Sequence, residues 1–352
     1  MKILFFIGAL SEGGAERVIS ILANNLVRDF DVEILKYYNS DNFYNIEKKV
    51  KITSVEENTN SKNKILNIKW VREYFKNNAD LIISFLAVFN MYALVANICN
   101  DIPVIVADRN DPRYIPKNKI LRFIRNRLYR KANAVVLQTK SNKEYFDSLI
   151  QKKSYVIYNP INMNSFVGKA LNTSKEKIIV SVGRLEVQKN QIMLIEAFNE
   201  IRKKYDDYKL IIYGEGPYRK QLEDKINELN LSSYVLLPGN KKNIFDEISK
   251  AELFVLSSNY EGMPNALIEA MCLGLPCIST RVSGATDLIQ DGVNGLLVDV
   301  GDTNDLTSKI TRLIDDKEYA YKLANKAIEI IDILDVNVIC DKWLEMINNV
   351  VK

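Results

Sequence analysis

The chain has 352 residues, with 48 Lys and Arg, 44 Asp and Glu, 4 Cys and no His. This length is typical of two domains of about 100–200 residues each. The absence of histidine excludes Ser-His-Asp and Cys-His nucleophiles, histidine-ligated zinc and an imidazole base. Any chemistry must therefore use carboxylates, cations, backbone amides or the substrate itself.

The remaining composition, with 47% hydrophobic and 26% charged residues, is that of a globular protein with an ample core. The net charge of +4 is small, so any strong positive field must be local. The cysteines form no C-x-x-C motif, which indicates reduced thiols in a cytoplasmic protein. The apolar stretch 82–99 is at the lower limit for a membrane span, but Ser84, Asn90 and Asn97 favour a strand, a turn and a buried helix.

The first half of the chain alternates apolar runs with helical patterns. The predicted strands are Lys2–Ile7, Val32–Leu35, Leu81–Phe85, Val104–Ala107, Ala134–Gln138 and Tyr155–Tyr158. The predicted helices are Ala15–Val27, Lys64–Lys76, Met91–Cys99, Lys119–Lys131 and Asn142–Leu149. This alternation predicts a parallel sheet covered by helices on both faces.

Asn159-Pro160 interrupts the pattern, and the polar segment 161–177 is the predicted linker. The alternation then restarts. The predicted strands are Ile178–Val182, Lys209–Tyr213, Val235–Leu237, Leu253–Leu256, Cys277–Ser279 and Gly295–Val298. The predicted helices are Gln191–Lys204, Arg219–Leu229, Asn265–Leu273, Thr303–Ile314, Tyr319–Ile330 and Val336–Val351. The sequence therefore predicts two doubly wound α/β domains, whose ligands bind beyond the carboxyl ends of the strands.

Two cations lie in the loop GRLEVQKN, which follows the first strand of the second half. At the carboxyl edge of a parallel sheet, Arg184 through its fork and Lys189 as a point charge could clamp a diphosphate. Two solvated loop charges are the alternative explanation.

The sequence YEGMPNALIEAM contains two carboxylates and a predicted helix start. Pro264 suits the first turn of a helix, which places Glu261 in the preceding loop and Glu269 within the helix. The amides of Asn265 and Ala266 would then point out of the helix N-terminus towards a phosphate. Each carboxylate could accept two hydrogen bonds from vicinal hydroxyls, one from a sugar and the other from a ribose. The alternative is one exposed Glu and one incidental helical Glu.

Three glycine-containing loops give weaker signals. The first, GALSEGGAE, joins a strand to a helix, and Gly13 and Gly14 would allow a close backbone approach to an anion there. The others are GEGP, at residues 214–217, and LPGN, which contains Pro238 and Gly239. Ordinary strand–helix connections explain these loops about equally well.

Together, these motifs resemble the family-4 retaining glycosyltransferases of GT-B fold. The E-x7-E of EGMPNALIEA, the loop GRLEVQKN, YGEGP, the early GGAE and the later GVNGLLV occur in the family's order over essentially the whole chain. The chain is most similar to bacterial enzymes that extend lipid-linked oligosaccharides, capsules or exopolysaccharides, including N-acetylgalactosamine transferases. The resemblance implies two Rossmann-like domains facing across a cleft, with the acceptor bound by residues 1–160 and the nucleotide sugar by residues 178–330. It also implies that residues 331–352 cross back to the first domain.

The resemblance further implies roles for individual residues. Arg184 and Lys189 would hold the donor diphosphate. Glu261 and two helix amides would hold the transferred sugar and the β-phosphate, and Glu269 would hold the ribose. Gly14 would approach the diphosphate when the cleft closes, and the turn that contains Gly239 would lie near the base. The implied donor-binding residues are Gly13, Gly14, Arg184, Lys189, Pro238, Gly239, Glu261, Gly262, Met263, Pro264, Asn265, Ala266 and Glu269.

One position departs from the family. Many members carry a His on the loop after the strand that is here Val104–Ala107, and Arg109 stands at that position. A guanidinium stays protonated and cannot act as a base, but it could stabilise developing phosphate charge or bind an acceptor phosphate. Asp108 could orient Arg109 or approach the acceptor hydroxyl, and these two residues are counted with Glu261, Arg184 and Lys189 as candidate catalytic residues. The alternative is an Asp–Arg ion pair that orders the loop.

The segment 113–131 carries a run of basic residues and no acidic residue. Leu121, Ile124 and Leu128 recur at helical spacing and are expected to pack on the domain, which leaves a cationic face. Such a face suits an anionic membrane surface or a lipid pyrophosphate, at about 1 kcal/mol per basic residue near the surface. A solvated helix face is the alternative, and nucleic acid is not expected, because the aromatic residues form no stacking platform. The predicted contact residues are Lys117, Lys119, Arg122, Arg125, Arg127, Arg130 and Lys131.

No metal and no cofactor are expected. The only D-x-D sequence, Asp29–Asp31, lies between a predicted helix and strand and is interpreted as structural. Arg184 and Lys189 could supply the positive charge that Mg²⁺ supplies elsewhere. The family also implies a front-face mechanism in which the leaving diphosphate takes the acceptor proton, which agrees with a chain that has no histidine.

The sequence therefore predicts a retaining glycosyltransferase at the inner face of the membrane. By the resemblance, UDP-N-acetylhexosamine is the first expected donor, ahead of UDP-hexose and GDP-mannose, and the acceptor is a lipid-linked oligosaccharide or polysaccharide precursor. A sugar-nucleotide epimerase of the same fold is one alternative, although it leaves the E-x7-E unexplained. A non-catalytic partner subunit that binds lipid-linked oligosaccharide is another.

Overall fold

The computed structural model describes residues 1–161 and 175–351. The chain divides into two compact units. Unit 1 contains Met1–Pro160 and the C-terminal helix, and unit 2 contains the described residues from Ile161 to Asp335. Most of the predicted linker 161–177 lies outside the described residues, and its last two residues begin a strand of unit 2.

Unit 1 alternates strands and helices, as the apolar pattern predicts. Its strands are β1 (Lys2–Ile7), β2 (Asp31–Lys36), β3 (Lys51–Ser54), β4 (Leu81–Phe85), β5 (Val104–Ala107), β6 (Ala134–Leu137) and β7 (Ser154–Val156). Its helices within the first part of the chain are α1 (Gly14–Leu26), α2 (Val55–Thr59), α3 (Ile68–Asn78), α4 (Ala87–Ala96), α5 (Lys119–Tyr129), α6 (Lys140–Glu144) and α7 (Ser148–Gln151).

The strands of unit 1 form one parallel sheet in the order β3-β2-β1-β4-β5-β6-β7. Alternate residues of β1 enter two different cores, since strand side chains point to opposite faces. Phe5 packs into one core, and Phe6 into the other. This burial on both faces explains why the strands are almost continuously apolar.

Unit 2 repeats the same plan. Its strands are β8 (Glu176–Val182), β9 (Lys209–Tyr213), β10 (Val235–Gly239), β11 (Ala251–Leu256), β12 (Cys277–Thr280) and β13 (Leu296–Val298). Its helices are α8 (Gln191–Arg202), α9 (Arg219–Glu228), α10 (Ile244–Lys250), α11 (Asn265–Cys272), α12 (Ser283–Leu288), α13 (Thr303–Asp315), α14 (Lys317–Ala327) and α15 (Ile330–Leu334). The last helix, α16 (Val336–Val351), belongs to unit 1, where Ile339, Trp343 and Ile347 join the core beneath α1.

The six strands of unit 2 are also parallel, in the order β10-β9-β8-β11-β12-β13. Strand order runs one way from β8 to β10 and the other way from β11 to β13. The carboxyl ends of β8 and β11 therefore flank a topological switch point, where ligands bind in sheets of this kind.

The predicted α/β class with two doubly wound sheets is confirmed. Several short elements were missed, including β3, α2, α10, α12 and α15, because they are too short to show a clear period. The second unit extends to Asp335, not to 330, since α15 packs on α11. The stretch 82–99 forms a strand and a buried helix as predicted. Across residues 1–161 and 175–351, no helix has both the length and the apolar character needed to cross a bilayer.

Candidate active site

The loops after β8 and β11 bring a cation and a carboxylate together at the switch point of unit 2. Lys189 ends a single 3-10 turn, Val187–Lys189, just before α8. Glu261 lies in the loop between β11 and α11. Lys189 Nζ is 2.6 Å from Glu261 Oε1, and both side chains are largely buried.

Three side chains hold the Glu261 carboxylate. Besides Lys189, Ser258 Oγ donates to Oε1 at 2.7 Å, and Gln188 Nε2 donates to Oε2 at 3.3 Å. Gln188 also donates to the Tyr260 carbonyl at 3.0 Å. Because both carboxylate oxygens are engaged and the side chain is only 6% exposed, Glu261 has a fixed orientation before any ligand arrives.

A second set of bonds joins the two loops themselves. The Asn259 amide donates to the Gln188 carbonyl at 2.7 Å, and its Nδ2 donates to the Val187 carbonyl at 2.8 Å. Asn190 Nδ2 donates to Asn259 Oδ1 at 3.1 Å. Ser257 Oγ donates to the Lys189 carbonyl at 3.0 Å. The backbone that carries Lys189 is therefore tied to the backbone that carries the carboxylate.

Gly183 allows the lysine to lie where it does. A Cβ at this position would lie 3.1 Å from Lys189 Cε, which is too close for an unstrained contact. The second predicted cation is placed differently. Arg184 has a side chain 74% exposed, and its Nη1 pairs with Glu186 Oε1 at 3.2 Å. Of the predicted clamp, Lys189 is therefore rigidly held at the carboxylate, and Arg184 extends into solvent.

Helix α11 begins at Asn265, immediately beyond the loop of Glu261. Pro264 was predicted to lie in the first turn, but it is the N-cap residue, with an extended ψ of 95°. The helix amides at this end have no carbonyl one turn earlier in the helix, which is what makes a helix N-terminus an anion site. Gly262 and Met263 are buried, and α12 packs so closely here that a Cβ on Gly284 would lie 2.1 Å from the Gly262 carbonyl oxygen.

Glu269 lies within α11 and is 9% exposed. The segment of Pro238 and Gly239, predicted to form a turn near the nucleotide base, belongs to a strand. Pro238 and Gly239 end β10 after a register shift, and Gly239 has φ +80°. A proline fits there because β10 is an edge strand of the sheet.

In unit 1, Gly13 is the extended N-cap of α1, which begins at Gly14. The Gly13 carbonyl accepts bonds from the Arg17 amide and from the Tyr44 hydroxyl, each at 3.1 Å. The glycine loop therefore lies at the carboxyl end of β1, and it is braced by the segment that follows β2.

The structure does not fit the predicted approach of Asp108 to the acceptor hydroxyl. Its carboxylate is completely buried, accepts a bond from the Tyr129 hydroxyl at 3.1 Å and lies 3.9 Å from Arg125 Nη1. Burial raises the pKa of Asp108, against the opposing charge of Arg125. These contacts link α5 to the sheet through Asp108. A carboxylate enclosed in this way does not reach an acceptor hydroxyl.

Arg109 does not pair with its neighbour in sequence. The residue is only 8% exposed, and its Nη1 donates to Asn159 Oδ1 at 3.2 Å. The guanidinium carbon lies 4.8 Å from the centroid of the Phe85 ring and 5.7 Å from that of Trp343. Nε and Nη2 are buried with no hydrogen-bond partner in the described structure. Burial lowers the pKa of Arg109 to about 9, so the side chain remains a cation at neutral pH.

The basic segment also differs from its prediction. Arg125 is fully buried and donates to the Pro112 and Ile115 carbonyls, at 3.0 and 2.6 Å, so it is not part of an outer face. Leu121 and Ile124, expected to pack inward, are 41% and 40% exposed. The reason is that Arg125 and Tyr129 occupy the inward side of α5, where they meet Asp108 and two aromatic rings.

The outward surface of α5 is consequently both apolar and basic. Ile120 is 69% exposed, and Phe123 is 65% exposed. Arg122 is partly buried and donates to the Pro116 carbonyl at 2.9 Å, and Arg130 pairs with Asp147 at 3.0 Å. The exposed cations of the predicted set are Lys117, Lys119, Arg127, Arg130 and Lys131.

Sequence reasoning missed the residues that hold the site in place. Gln188 and Asn190 flank the predicted Lys189, and Ser258 and Asn259 lie within three residues of the predicted Glu261. The polar run after the apolar strand β11 was an available signal. The ring partners of Arg109 gave no such signal, since Trp343 comes from the far end of the chain. Across the described parts of the chain, no group of three or more His, Cys, Asp or Glu is placed to hold a metal ion.

The fold defines the class of protein. Two doubly wound parallel sheets are the architecture of the GT-B glycosyltransferases, and solved structures of that class superpose on the whole chain. The Anabaena protein HepE, solved in complex with UDP and glucose, has a TM-score of 0.85 at 20% sequence identity and covers 99% of both chains.

Family models match both parts of the chain. Residues 12–165 match "Glycosyltransferase Family 4", and residues 164–330 match "Glycosyl transferases group 1". The chain is 31% identical, over 99% of both proteins, to the Campylobacter jejuni GalNAc-alpha-(1->4)-GalNAc-alpha-(1->3)-diNAcBac-PP-undecaprenol alpha-1,4-N-acetyl-D-galactosaminyltransferase. It is 32% identical, over 93% of both proteins, to the N-acetylgalactosamine-N,N'-diacetylbacillosaminyl-diphospho-undecaprenol 4-alpha-N-acetylgalactosaminyltransferase of the same organism. The protein belongs to glycosyltransferase family 4, and it is a glycosyltransferase, as the sequence motifs predicted.

Proposed function

We propose that the protein transfers an N-acetylhexosamine from a UDP-sugar to an oligosaccharide linked by a diphosphate to a polyprenol, at the cytoplasmic face of a membrane. The observation that carries this proposal is the Lys189–Glu261 pair, 2.6 Å apart at the switch point of unit 2. The choice of donor and acceptor is supported by the two full-length relatives, which are N-acetylgalactosaminyltransferases acting on undecaprenol-linked glycans.

Unit 2 is proposed to bind the donor. Lys189 and Arg184 would neutralise the diphosphate, the lysine from a fixed position and the exposed arginine by closing onto the ligand. The amides of Asn265 and Ala266 at the start of α11 would receive the β-phosphate. The remaining donor contacts stay as predicted from the resemblance, with Glu269 on the ribose and Gly239 near the base.

Glu261 is proposed to bind the transferred sugar. A carboxylate accepts bidentate hydrogen bonds from vicinal hydroxyls, and Ser258 and Gln188 fix its orientation. When a diphosphate competes for the Lys189 ammonium group, part of the Glu261 carboxylate becomes available to hydroxyl donors. The Lys189–Glu261 ion pair of the unliganded protein would thus be replaced by a contact between Lys189 and the diphosphate and one between Glu261 and the sugar.

The proposed reaction retains the configuration at the anomeric carbon, as the family implies. The acceptor hydroxyl oxygen forms a bond to the anomeric carbon from the same face on which the bond to the diphosphate oxygen breaks. The leaving diphosphate takes the hydroxyl proton. Asp108 is too enclosed to act as base, and Arg109 would contribute charge to a phosphate group. No metal ion or cofactor is proposed, because Lys189, Arg184 and the helix N-terminus supply the positive potential.

The membrane part of the proposal depends on α5. Its exposed cations suit anionic headgroups or a lipid diphosphate, and the exposed Ile120 and Phe123 suit the acyl boundary beneath them. Changing Lys117, Lys119, Arg127 and Lys131 together to Gln should abolish flotation with phosphatidylglycerol vesicles at low salt. The control changes four exposed lysines of unit 2, Lys203, Lys220, Lys322 and Lys326, to Gln and should float normally. Equal flotation of both variants would contradict the membrane role of α5.

The activity is tested with UDP-N-acetylgalactosamine, UDP-N-acetylglucosamine and UDP-galactose, each with a polyprenol-diphosphate-linked oligosaccharide. We expect one of these donors to extend the acceptor by a single sugar, both with and without EDTA. A reaction that requires added Mg²⁺ would contradict the metal-independent proposal. Incubation with UDP-N-acetylglucosamine alone tests the alternative enzyme class, since epimerisation at C2 without acceptor would contradict transferase activity as the function.

A further inference from the structure

The two most exposed large apolar side chains of the described chain are neighbours. Ile65 is 81% exposed and Leu66 is 71% exposed, in the loop between α2 and α3. Single exposed apolar residues are common on protein surfaces and need no explanation. Two adjacent ones at the tip of an ordered loop are less expected, because each leaves water-exposed apolar area that folding could have buried.

The loop is built so that these side chains face outward. Asn63 Oδ1 accepts bonds from the amides of Ile65 and Leu66, at 3.0 and 3.3 Å. Asn67 is 4% exposed, and its Nδ2 donates to the Ser61 carbonyl at 2.7 Å. The polar atoms of the loop are thus satisfied on its inner side, and the apolar tip is not the product of a frayed segment.

Lys64 anchors the base of the tip in an aromatic cage. Its Nζ lies 5.3, 5.1 and 5.3 Å from the ring centroids of Tyr37, Tyr38 and Phe89, and it donates to the Tyr38 hydroxyl at 2.7 Å. Its carbonyl accepts a bond from the Tyr92 hydroxyl at 2.9 Å. A lysine held through both its ammonium group and its carbonyl fixes the next two residues relative to α4, which carries Phe89 and Tyr92.

This anchoring places the tip in the same layer as the surface already proposed to meet lipid, with α4 between them. Helix α4 packs against α3 on one side and α5 on the other, and Asn90 Nδ2 donates to the Tyr129 hydroxyl of α5 at 2.9 Å. Helix α4 follows the carboxyl end of β4, and α5 follows that of β5, so both begin at the same edge of the sheet. Val88, on the first turn of α4, is itself 44% exposed. The tip, Val88 and the apolar residues of α5 therefore belong to one helical layer.

The charge around the tip favours an anionic lipid surface over an apolar protein partner. Residues 61–72 include no acidic side chain, and their exposed cations are Lys62 and Lys69, since Lys64 is held in the aromatic cage. Lys62 is 74% exposed even though it pairs with Glu56 at 3.3 Å. Apolar side chains flanked by lysines are the composition that enters the boundary between headgroups and acyl chains. We propose that Ile65 and Leu66 form a second membrane contact, which inserts beside α5 and fixes the orientation of unit 1 on the bilayer. The inference rests on the proposed membrane-surface function and adds a second point of attachment to it.

Flotation with vesicles of equal parts phosphatidylglycerol and phosphatidylcholine tests the contact. Ile65→Ser with Leu66→Ser should weaken binding about tenfold, and this loss should persist at high salt, because burial of apolar area is not screened. Leu149→Ser is the matched control, since Leu149 is 57% exposed on α7 of the same unit. Binding of the double variant equal to that of the wild type would overturn the inference and leave the role of α5 intact. A wild-type protein that does not float would overturn both.

A depth measurement gives a second readout. Leu66→Trp should be quenched by brominated phospholipids more strongly than the wild type, and Leu149→Trp should not. Equal quenching of the two variants would count against insertion. Light scattering without lipid tests whether a second copy of the chain binds the tip instead. If the wild type is a dimer and the double variant is a monomer, the tip contacts a second copy and not a bilayer.

Discussion

Each unit has a buried carboxylate and a buried cation at the carboxyl edge of its sheet, and the two units differ in whether these groups form an ion pair with each other. In unit 2, Glu261 and Lys189 contact each other at 2.6 Å. In unit 1, the carboxylate of Asp108 is engaged by Arg125 from α5, and two buried nitrogens of Arg109 have no hydrogen-bond partner among the described residues. The first arrangement balances its charges in the apo protein, whereas the second leaves one cation only partly compensated.

The difference indicates how each region responds to an anion. A diphosphate that enters unit 2 must compete with Glu261 for the lysine, so the site exchanges one charged contact for another. An anion that reaches Arg109 would supply a direct partner to a desolvated cation that is otherwise supported by one amide oxygen, two aromatic rings and the charge of Asp108. A buried charge that is only partly compensated reduces the stability of the fold. We therefore expect Arg109 to serve ligand binding in addition to packing.

The largest effect is expected from the carboxylate of the balanced site. Glu261→Gln keeps the shape of the side chain but removes its charge, and it replaces an acceptor oxygen with a donor. We expect kcat/KM to fall by about 10³-fold, because the contact with the reacting sugar is lost. Steady-state transfer to a lipid-linked acceptor measures this.

The matched control is Glu223→Gln on α9, where the carboxylate is 46% exposed and remote from the switch point. It should keep the wild-type rate. A Glu261→Gln enzyme with unchanged kcat/KM would remove Glu261 from the chemistry and leave it as a structural partner of Lys189.

Loss of Lys189 and loss of Arg184, the two cations of unit 2, should have different effects on donor binding and on stability. Lys189→Met removes the fixed cation and leaves Glu261 buried without its charged partner, so we expect about 10²-fold weaker donor binding and a loss of about 1–3 kcal/mol in unfolding free energy. Arg184→Met should weaken donor binding only about tenfold and leave stability unchanged, since this side chain is 74% exposed. Titration calorimetry and chemical denaturation measure the two quantities. Equal losses for both variants would mean that the fixed position of the lysine has no functional consequence.

Removal of Arg109 should raise the stability of the protein, whereas removal of Lys189 should lower it. Arg109→Met removes a buried cation whose pKa is lowered to about 9, so the apo protein should become more stable, by about 2–4 °C in Tm. Inorganic pyrophosphate should raise the Tm of the wild type more than that of the variant. Thermal unfolding with and without the anion tests both statements, and a destabilised variant with an unchanged pyrophosphate response would assign Arg109 to packing alone.

The smallest effect is a pH dependence from Asp108. Burial raises its pKa above the ordinary value of 3.8, so the folded protein retains this proton at a pH where the unfolded chain has lost it. The contribution to stability is thus full below the ordinary pKa and is lost as the pH rises through the folded value. Asn cannot titrate, so the Tm of Asp108→Asn minus that of the wild type should increase as the pH rises above the ordinary Asp pKa of 3.8. A difference that stays constant as the pH rises would show that the carboxylate titrates normally.

Much of the fold and part of the site could be predicted from the sequence. Apolar strands and the loops after them identified Lys189 and Glu261 individually, because each follows a recognisable strand. Their direct contact requires β8 and β11 to be neighbours, and strand order is not encoded in local periodicity. The same limit explains Asp108, whose partners come from α5, and Arg109, whose ring contact Trp343 comes from α16.

The basic helix shows a second limit. Helical spacing predicted that Leu121 and Ile124 would face inward, as apolar residues usually do. A buried ionic cluster around Arg125 occupies the inward side instead, so Leu121 and Ile124 are 41% and 40% exposed, whereas Leu128 still packs partly against the core as predicted. Periodicity identifies an amphipathic helix, but the partners available on the domain determine which side is buried.

The central claim is that the Lys189–Glu261 pair is the donor site, and a thermal-shift comparison of nucleotide sugars tests it most directly. A UDP-sugar that binds the native state must raise its Tm in proportion to affinity and concentration. We expect a clear increase in the Tm of the wild type with UDP-N-acetylgalactosamine or UDP-N-acetylglucosamine. The increase in the Tm of Lys189→Met should be much smaller at the same ligand concentration. An equal increase in both proteins would place the nucleotide sugar elsewhere and contradict the account.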